Sequence, residues 1–589
     1  MVLRGWKKAV AFLVGSLGVF LLVSALVYWL LADSVNKTIR ESVLTYVRSR
    51  VTETALAESG GRLDVTLGDI SYTYLTGQLE VRDVSVLYRD TTEESGNTIT
   101  VAVPLVNVGG LFLWDILNGG GVSLGMISVT GARVTHKTWG EQAAPQVDSV
   151  VTLPKVPNVD SLLRKGSVAL IPYYVQPLTV AGVEILDVHF TNDISASVSP
   201  YVSEFDGLSV RVGKITVDST LPHVRPIASV NISINTWNRT FNDGRIIFTK
   251  GFDVVVSDRD SSLIVDSVAF FTPTEYTYSA AHLHFSYRES ELRIGSVELG
   301  PTMPDGKYLG AQKYNTDRFR VSLSGLVLSG MDFPALSAQR ALHVHKVDVS
   351  TLHLDILSNR SRTVDPRNLR PKMLNEIARS LPFQLGIDSV VLRNASIVYG
   401  EKWPYSVAPA TLRWKNIAAE ASNVSNAPSG APFTIHARGT FQNQSTMEAT
   451  FVIPLTASTY SLDAHGSLGK FDITALNEFL PIAENVKIRS GVARMATFSY
   501  RIRGNKCTGE VSPHYTGLKI DLLNKKTKED GGILNSVVSF IANTFVVRSN
   551  NDGEDFRKGA IVYTLPADAA IMQTIWYPVR AGLTKAAGL

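Results

Sequence analysis

Apolar and polar residues alternate along most of the chain, which is the pattern of β-strands with one buried face. In residues 62–90, the side chains of Leu63, Val65 and Leu67 share one face, and Asp64 and Thr66 lie on the other. Similar runs return up to residue 522, without a strict repeat of 20–50 residues and without a βαβ rhythm. The pattern predicts a mainly β protein and argues against a doubly wound nucleotide-binding fold.

One apolar face continues through this stretch, although its phase slips by one residue between Val81 and Val84, which predicts a β-bulge. Such a face can be hidden in a closed sandwich, or it can line the inside of a long, curled sheet. No linkers rich in Pro, Gly or Ser separate discrete domains, which favours one elongated, curled sheet with an apolar groove. The candidate lining residues of this groove are Leu63, Val65, Leu67, Leu79, Val81, Val84 and Val86.

Helical periodicity is confined to a few short segments, predicted at about residues 34–58, 110–118, 371–380, 473–480, 532–545 and 567–586. The last one is amphipathic, and Pro578 is expected to kink it. Its apolar face suits a membrane surface or a partner groove. The alternative, which we favour, is a helix that packs over the open end of the sheet and protects its edge. The face comprises Ile571, Ile575, Trp576, Val579 and Leu583.

The N-terminus contains the longest uncharged stretch, 24 residues from Ala9 to Ala32. At about 1.5 Å per residue this stretch spans roughly 36 Å, enough to cross a bilayer with some tilt. Lys7 and Lys8 precede it, so the positive-inside rule places the N-terminus in the cytoplasm and the rest outside. A cleaved signal peptide is the alternative, but its apolar region would be shorter and would end in a small-x-small site, which does not follow Tyr28.

Four blocks in this order resemble the AsmA-like family of Gram-negative envelope proteins, to which AsmA, TamB and YhdP belong. In the first, RLDVTLGDISYTYLTGQLEVRDVSVLYRD follows an anchor and a helix, and in the second a strand, a short helix around Trp114–Leu117 and a strand follow one another. The chain departs from close relatives in its terminal helix, which follows Leu565–Pro566 where they have an Arg-Asp-Pro-like step. The four blocks are residues 62–90, 101–136, 381–403 and 486–523.

The resemblance implies an inner-membrane anchor, a periplasmic β-taco with a hydrophobic groove, and movement of phospholipid toward the outer membrane. The implied partners are phospholipid, the inner membrane and, through the C-terminal tail, outer-membrane or assembly proteins. The rival hypothesis is an envelope scaffold or a regulator of outer-membrane protein assembly that carries no lipid. The expected organisation is a cytoplasmic tail (1–8), a transmembrane anchor (9–32), a juxtamembrane helix (33–60), a β-groove (61–380), a C-terminal AsmA-like β region (381–530) and a helical tail with one strand pair (531–589).

The net charge and the residues that could carry chemistry further restrict the classes of function that the chain can have. The net charge of +4 over 589 residues does not argue for nucleic acid, and the single cysteine, Cys507, excludes an internal disulfide. The string GVSLG at residues 121–125 matches a nucleophile elbow, but it lacks the flanking helix that an elbow needs. We therefore expect no enzyme, cofactor or metal, although two His-x-His pairs are the best metal candidates. These are His282 with His284, and His343 with His345, the latter followed by His353 and Asp355.

Overall fold

The computed structural model confirms a mainly β chain: 66% of the described residues are in strands and 12% are in helices. The predicted transmembrane segment (9–32) lies outside the described residues, and among those described no helix is both long and apolar enough to cross a membrane. The structure describes residues 45, 49, 52–53, 61–73, 76–91, 95–111, 122–140, 178–195, 199–217, 227–257, 261–335, 341–363, 372–428, 430–523, 547–566 and 569–588.

The chain divides into two compact units. The N-terminal unit comprises Met1–Val150, Pro154–Phe271 and Leu283–Arg288, and the C-terminal unit comprises Val151–Leu153, Thr272–His282 and Glu289–Leu589. The first twelve strands belong to the N-terminal unit. They are β1 (Leu63–Thr66), β2 (Ile70–Thr73), β3 (Gln78–Thr91), β4 (Gly96–Val108), β5 (Val122–Thr130), β6 (Arg133–Trp139), β7 (Leu178–Ile194), β8 (Tyr201–Val212), β9 (Ile215–Val217), β10 (Ser229–Phe241), β11 (Ile246–Ser257) and β12 (Ser261–Phe271).

The remaining strands follow β13 (Tyr276–Ser286), which is divided between the two units. The strands of the C-terminal unit are β14 (Glu291–Pro301), β15 (Asp317–Met331), β16 (Ala341–Asn359), β17 (Gln384–Lys402), β18 (Ala410–Ser425), β19 (Phe433–Phe441), β20 (Ser445–Ile453), β21 (Ser461–Leu468), β22 (Phe471–Asp472), β23 (Val486–Arg503), β24 (Lys506–Leu522) and β25 (Gly559–Thr564).

Each unit contains a mixed sheet in which most neighbours are antiparallel. In the N-terminal unit, β3 pairs with β1, β2 and β4, and β7 receives β5 and β6 as parallel neighbours before the antiparallel β8, β10, β11 and β12 follow. In the C-terminal unit, β14 to β21 pair in chain order and β23, β24 and β25 complete the sheet; β16 and β17 form its parallel pair. Sheet faces of this kind place alternate side chains on one side.

The described helices are few and short, as the sequence predicts. Only residues 45, 49, 52 and 53 of the predicted juxtamembrane helix are described, all helical, and the predictions for 110–118 and 532–545 fall almost wholly outside the described residues. The helix that ends the described chain continues through Pro578. The helices are α1 (Asp305–Ala311), α2 (Leu374–Arg379), α3 (Leu480–Ala483) and α4 (Ile571–Ala587), with 3-10 turns at Ile473–Glu478 and Gly553–Asp555.

Candidate functional site

A continuous row of apolar side chains crosses the sheet of the N-terminal unit at right angles to its strands. Residues that pair directly on neighbouring strands share a face, so a chain of such pairs defines a row on that face. One row is wholly aliphatic over nine strands, and with eight steps of about 4.8 Å it extends about 38 Å. It consists of Ile70, Val81, Val106, Val129, Ile185, Val210, Ile232, Val254 and Leu263.

A second row runs beside the first on the same face and is aromatic at its centre. The rings of Phe190 and Phe205 stack at 5.5 Å between centroids, and those of Phe205 and Trp237 stack at 5.6 Å. Most of its members after Val86 are only half-buried, so their side chains remain accessible on this face. The row consists of Val65, Val86, Val101, Val134, Phe190, Phe205, Trp237, Thr249 and Val268.

Breaks in the alternation occur at matching positions on neighbouring strands. They keep the apolar side chains of both halves of a strand on the same face of the sheet. The predicted slip between Val81 and Val84 is present, because Asp83 adopts a φ of 52° and is left out of the pairing between β3 and β4. The predicted β-bulge is wrong, since the register of β3 and β4 is the same on both sides of Asp83 and neither strand has an extra residue. Equivalent breaks occur at Asp187, Gly207 and Gly251, with φ of 55°, 63° and 62°. Without these slips, strict alternation would place the two rows on opposite faces of the sheet.

The face turns polar in the middle of the next row along the strands, at His136, Asn192, Ser203 and Arg239, a feature that the sequence pattern did not indicate. The two ring nitrogens of His136 lie 2.7 Å from Asn192 Oδ1 and 2.9 Å from Asn97 Oδ1. Arg239 Nε donates to Ser203 Oγ at 2.8 Å, and its guanidinium lies 4.3 Å from the centre of the Tyr201 ring. These polar side chains are bound to one another, and they border the apolar rows on this side.

Three of the residues predicted to line a groove, Val65, Val81 and Val86, stand at the start of these rows, and the other four pack in or against the same cluster. Five of the seven have exposed fractions between 3% and 7% and form one core cluster, namely Leu63, Val65, Leu79, Val81 and Val86. Leu67 and Val84 are partly buried and pack against that cluster. The sequence therefore placed these side chains on one apolar face, while their contact with lipid stays a prediction.

The sheet of the C-terminal unit carries the same kind of row over eleven strands. Its central members are small, and the ring of Phe498 lies so close to Gly466 that a Cβ there would come within 2.6 Å of it. The absence of a side chain at Gly466 thus allows this ring to approach the backbone closely. The row consists of Ile294, Leu326, Val349, Leu392, Ala419, Ala437, Ala449, Gly466, Phe498, Val511 and Gly559.

An apolar cavity of about 820 Å³ lies in the C-terminal unit between helix α4 and the sheet. This volume falls within the range of about 300–1,000 Å³ that is usual for small-molecule sites. Its walls come from strands β17 to β25, the first 3-10 turn and helices α3 and α4, and they are dominated by aliphatic and aromatic side chains. The sheet side includes Trp414, Phe441, Met447, Leu468, Phe471 and Ile488.

Helix α4 presents its predicted apolar face to this cavity. Ile575, Trp576, Val579 and Leu583 line the cavity, and Ile571 packs against the core cluster beneath the helix. In this arrangement the helix covers β24 and the edge strand β25, which corresponds to the packed alternative of the sequence analysis. Binding of the same face to a membrane or a partner stays a prediction.

Few polar groups interrupt the cavity wall. Arg580 Nη1 lies 2.6 Å from Glu484 Oε1 and its guanidinium lies 4.8 Å from the centre of the Tyr577 ring. Burial lowers the pKa of Arg580 and its bond to Glu484 raises it, with a net increase, so the guanidinium is fully charged at neutral pH. The hydroxyl of Tyr515 and the indole nitrogen of Trp576 also belong to cavity-lining residues.

The structure does not assemble a metal site from the candidate histidines. His345 Nδ1 lies 3.0 Å from Asp388 Oδ2, His353 Nδ1 lies 2.6 Å from Ser396 Oγ, and Asp355 pairs with Arg318. Within the described ranges, no group of three or more His, Cys, Asp or Glu side chains could hold a metal ion. Ser123 of the GVSLG string lies inside strand β5, paired with Thr179, and not at a strand-to-helix turn.

No protein-family model matches the chain, and no curated protein matches it either.

Proposed function

We propose that the chain binds the hydrocarbon chains of membrane phospholipids on its apolar rows and passes them along the sheet. The observation that carries this proposal is the uninterrupted aliphatic row over nine strands of the N-terminal unit, with the eleven-strand row of the C-terminal unit as its counterpart. Because successive strands add members at intervals of about 4.8 Å, a guest can move along a row without meeting a polar side chain.

The physical need for such a row is clear from the hydrophobic effect. Exposing an acyl chain to water costs about 0.8 kcal/mol for each CH₂ group, so free diffusion of a whole lipid is strongly disfavoured. A sheet face lined by half-buried apolar side chains lowers this cost at every position. No reaction is required, and the chain acts as a carrier and not as an enzyme.

We place this activity in the bacterial envelope. The uncharged stretch from Ala9 to Ala32 would anchor the chain in the inner membrane, and the positive charges before it would leave the body in the periplasm. The likeness of the four sequence blocks to AsmA-like proteins supports the same location and a role in outer-membrane biogenesis. Phospholipid and the inner membrane are the proposed partners, with assembly proteins as candidates at the C-terminal tail.

Site-specific photo-crosslinking tests the proposal. A photoreactive amino acid replaces Phe205, whose side chain lies on the apolar face, or Glu204, which lies exposed on the opposite face of the same strand. The protein is expressed with its N-terminus intact, irradiated in membranes and analysed for covalent phospholipid. We expect adducts at position 205 and a much weaker signal at 204. Equal labelling at both positions, or none at 205, contradicts the proposal.

The rival function, a scaffold that carries no lipid, is favoured by one observation. The cluster that includes Leu79 and Val81 is packed by the chain's own side chains, with exposed fractions of 3% and 5%. Native mass spectrometry of the exported body after detergent-free extraction separates the two functions. Co-purifying phospholipid supports carriage, and its consistent absence supports the scaffold.

A further inference from the structure

Two hydrogen-bond donors in the wall of the C-terminal cavity have nothing to bind in the described part of the chain. Tyr515 is only 5% exposed, and its hydroxyl makes no hydrogen bond to any described residue. The indole nitrogen of Trp576 is likewise buried without a described partner. Both residues line the same cavity. A buried polar group without a partner costs about 1–3 kcal/mol, so two of them in one apolar cavity call for a ligand atom.

The charges around these donors favour an anionic ligand. The positive charge of Arg548 acts on the Tyr515 hydroxyl, opposing the increase in pKa that burial produces. Lys585 lines the cavity and forms no ion pair with any residue in the described ranges. Glu484, the acidic residue of the wall, is already bound to Arg580 at 2.6 Å. Because Glu484 balances Arg580, Lys585 leaves the described ionised residues of the cavity wall with a net positive charge.

We propose that this cavity holds one acyl chain whose anionic oxygen head group accepts hydrogen bonds from Tyr515 Oη and Trp576 Nε1. The head group is a carboxylate or a phosphate, since both offer the acceptor oxygens that the two donors lack. The acyl chain lies against the apolar wall formed by residues such as Phe441, Met447 and Leu468. The inference rests on the proposed lipid carriage and adds a site for a single bound amphiphile beneath helix α4.

The test compares three probes with the delipidated full-length protein, using isothermal titration calorimetry. Palmitate carries a carboxylate, palmitoyl lysophosphatidate carries a phosphate, and hexadecanol has a similar chain with an uncharged head. Tyr515→Phe removes one hydroxyl and keeps the ring. Tyr563→Phe is the matched control, because Tyr563 lines the same cavity and its hydroxyl is not a buried donor without a partner. Trp576→Phe serves as a second variant.

We expect Tyr515→Phe to raise the Kd of the anionic probe by about tenfold or more, because it removes a hydrogen bond to a charged group. Tyr563→Phe should change the same Kd by less than about twofold. The melting temperature of Tyr515→Phe without ligand should not fall, since the deleted hydroxyl binds nothing in the described chain. The probe whose affinity depends on Tyr515 identifies the head group as carboxylate or phosphate.

Three outcomes overturn the inference. They are equal affinity for hexadecanol and both anionic probes, an unchanged Kd in Tyr515→Phe and Trp576→Phe, and binding of no probe at all. None of these outcomes contradicts the proposed lipid transport, because that proposal is tested separately by crosslinking at Phe205 in the N-terminal unit. Lipid adducts at position 205 together with an empty cavity would refute this site and retain the carrier.

Discussion

The hydroxyl of Tyr500 donates to the backbone carbonyl oxygen of Thr574 at 3.2 Å, and to that of Ile575 at 3.3 Å. Thr574 is the residue four positions before Pro578, which has no N–H to close the usual helical hydrogen bond. The sheet thus supplies the donor that the proline removes from helix α4. This contact explains how a buried proline is tolerated in the helix that covers the cavity.

Replacing Tyr500 with Phe should therefore destabilise the C-terminal unit by about 1–3 kcal/mol, because it leaves a buried carbonyl without a donor. In a Pro578→Ala background the same replacement should lower the free energy of unfolding by clearly less, since the N–H of the introduced alanine can bond to the Thr574 carbonyl. Chemical denaturation of the four proteins of this cycle measures the coupling. Tyr460→Phe is the control: its hydroxyl contacts the Thr574 side chain at 3.3 Å, so its effect should not depend on residue 578. An equal cost of Tyr500→Phe in both backgrounds would refute this account.

A substitution at Leu79 tests whether the start of the rows is a packed core or the lining of an open groove. Its side chain is 3% exposed, so Leu79→Ala should destabilise the N-terminal unit by about 2–5 kcal/mol. Asp64→Ala, on the exposed face of β1, should stay within about 0.5 kcal/mol. Denaturation followed by tryptophan fluorescence measures both. A small effect of Leu79→Ala would indicate that this side chain faces an open groove.

The single thiol reports on the core beneath helix α4. Cys507 is 1% exposed, and burial raises the pKa of its thiol from 9.0 to about 11. We expect it to react with a thiol reagent at pH 8 far more slowly in the folded protein than in denaturant. Fast labelling of the folded protein would show that this core opens readily.

The same shift predicts a pH dependence of stability. The unfolded chain loses the thiol proton first, so the stability contributed by Cys507 is present below about pH 9 and is lost as the pH rises toward 11. The difference in unfolding free energy between the wild type and Cys507→Ala should fall across this range. A constant difference from pH 8 to pH 11 would contradict the buried neutral thiol.

Glycine is required at one of the phase slips. Gly251 has a φ of 62°, and a Cβ there would overlap the carboxylate of Asp266 on the neighbouring strand. Gly251→Ala should cost about 1–3 kcal/mol through backbone strain, together with the clash. In an Asp266→Ala background the clash disappears and the strain remains, so thermal denaturation should show a partial rescue. Full rescue would assign the whole effect to the clash.

Much of the strand structure could be read from the chain, because alternation is a local property of each strand. The slip at Asp83, the apolar face of Leu63 to Val86 and the face of helix α4 all follow from positions a few residues apart. The cavity could not be found in this way. Tyr515 and Trp576 are 61 residues apart in the sequence, and nothing near either of them marks an unpaired donor.

By itself, the sequence determined that this chain is mainly β, that its strands have one apolar face, and that its last helix is amphipathic. These features depend on side-chain order within single elements, where the period of two or of 3.6 residues acts directly. Only the tertiary structure decided which strands pair in which register, and hence that separate apolar faces join into rows across nine and eleven strands. It also decided that helix α4 packs on β24 and β25 and lines a cavity with residues of β17 to β25. Register and helix placement are set by contacts between residues distant in sequence, so no local pattern encodes them.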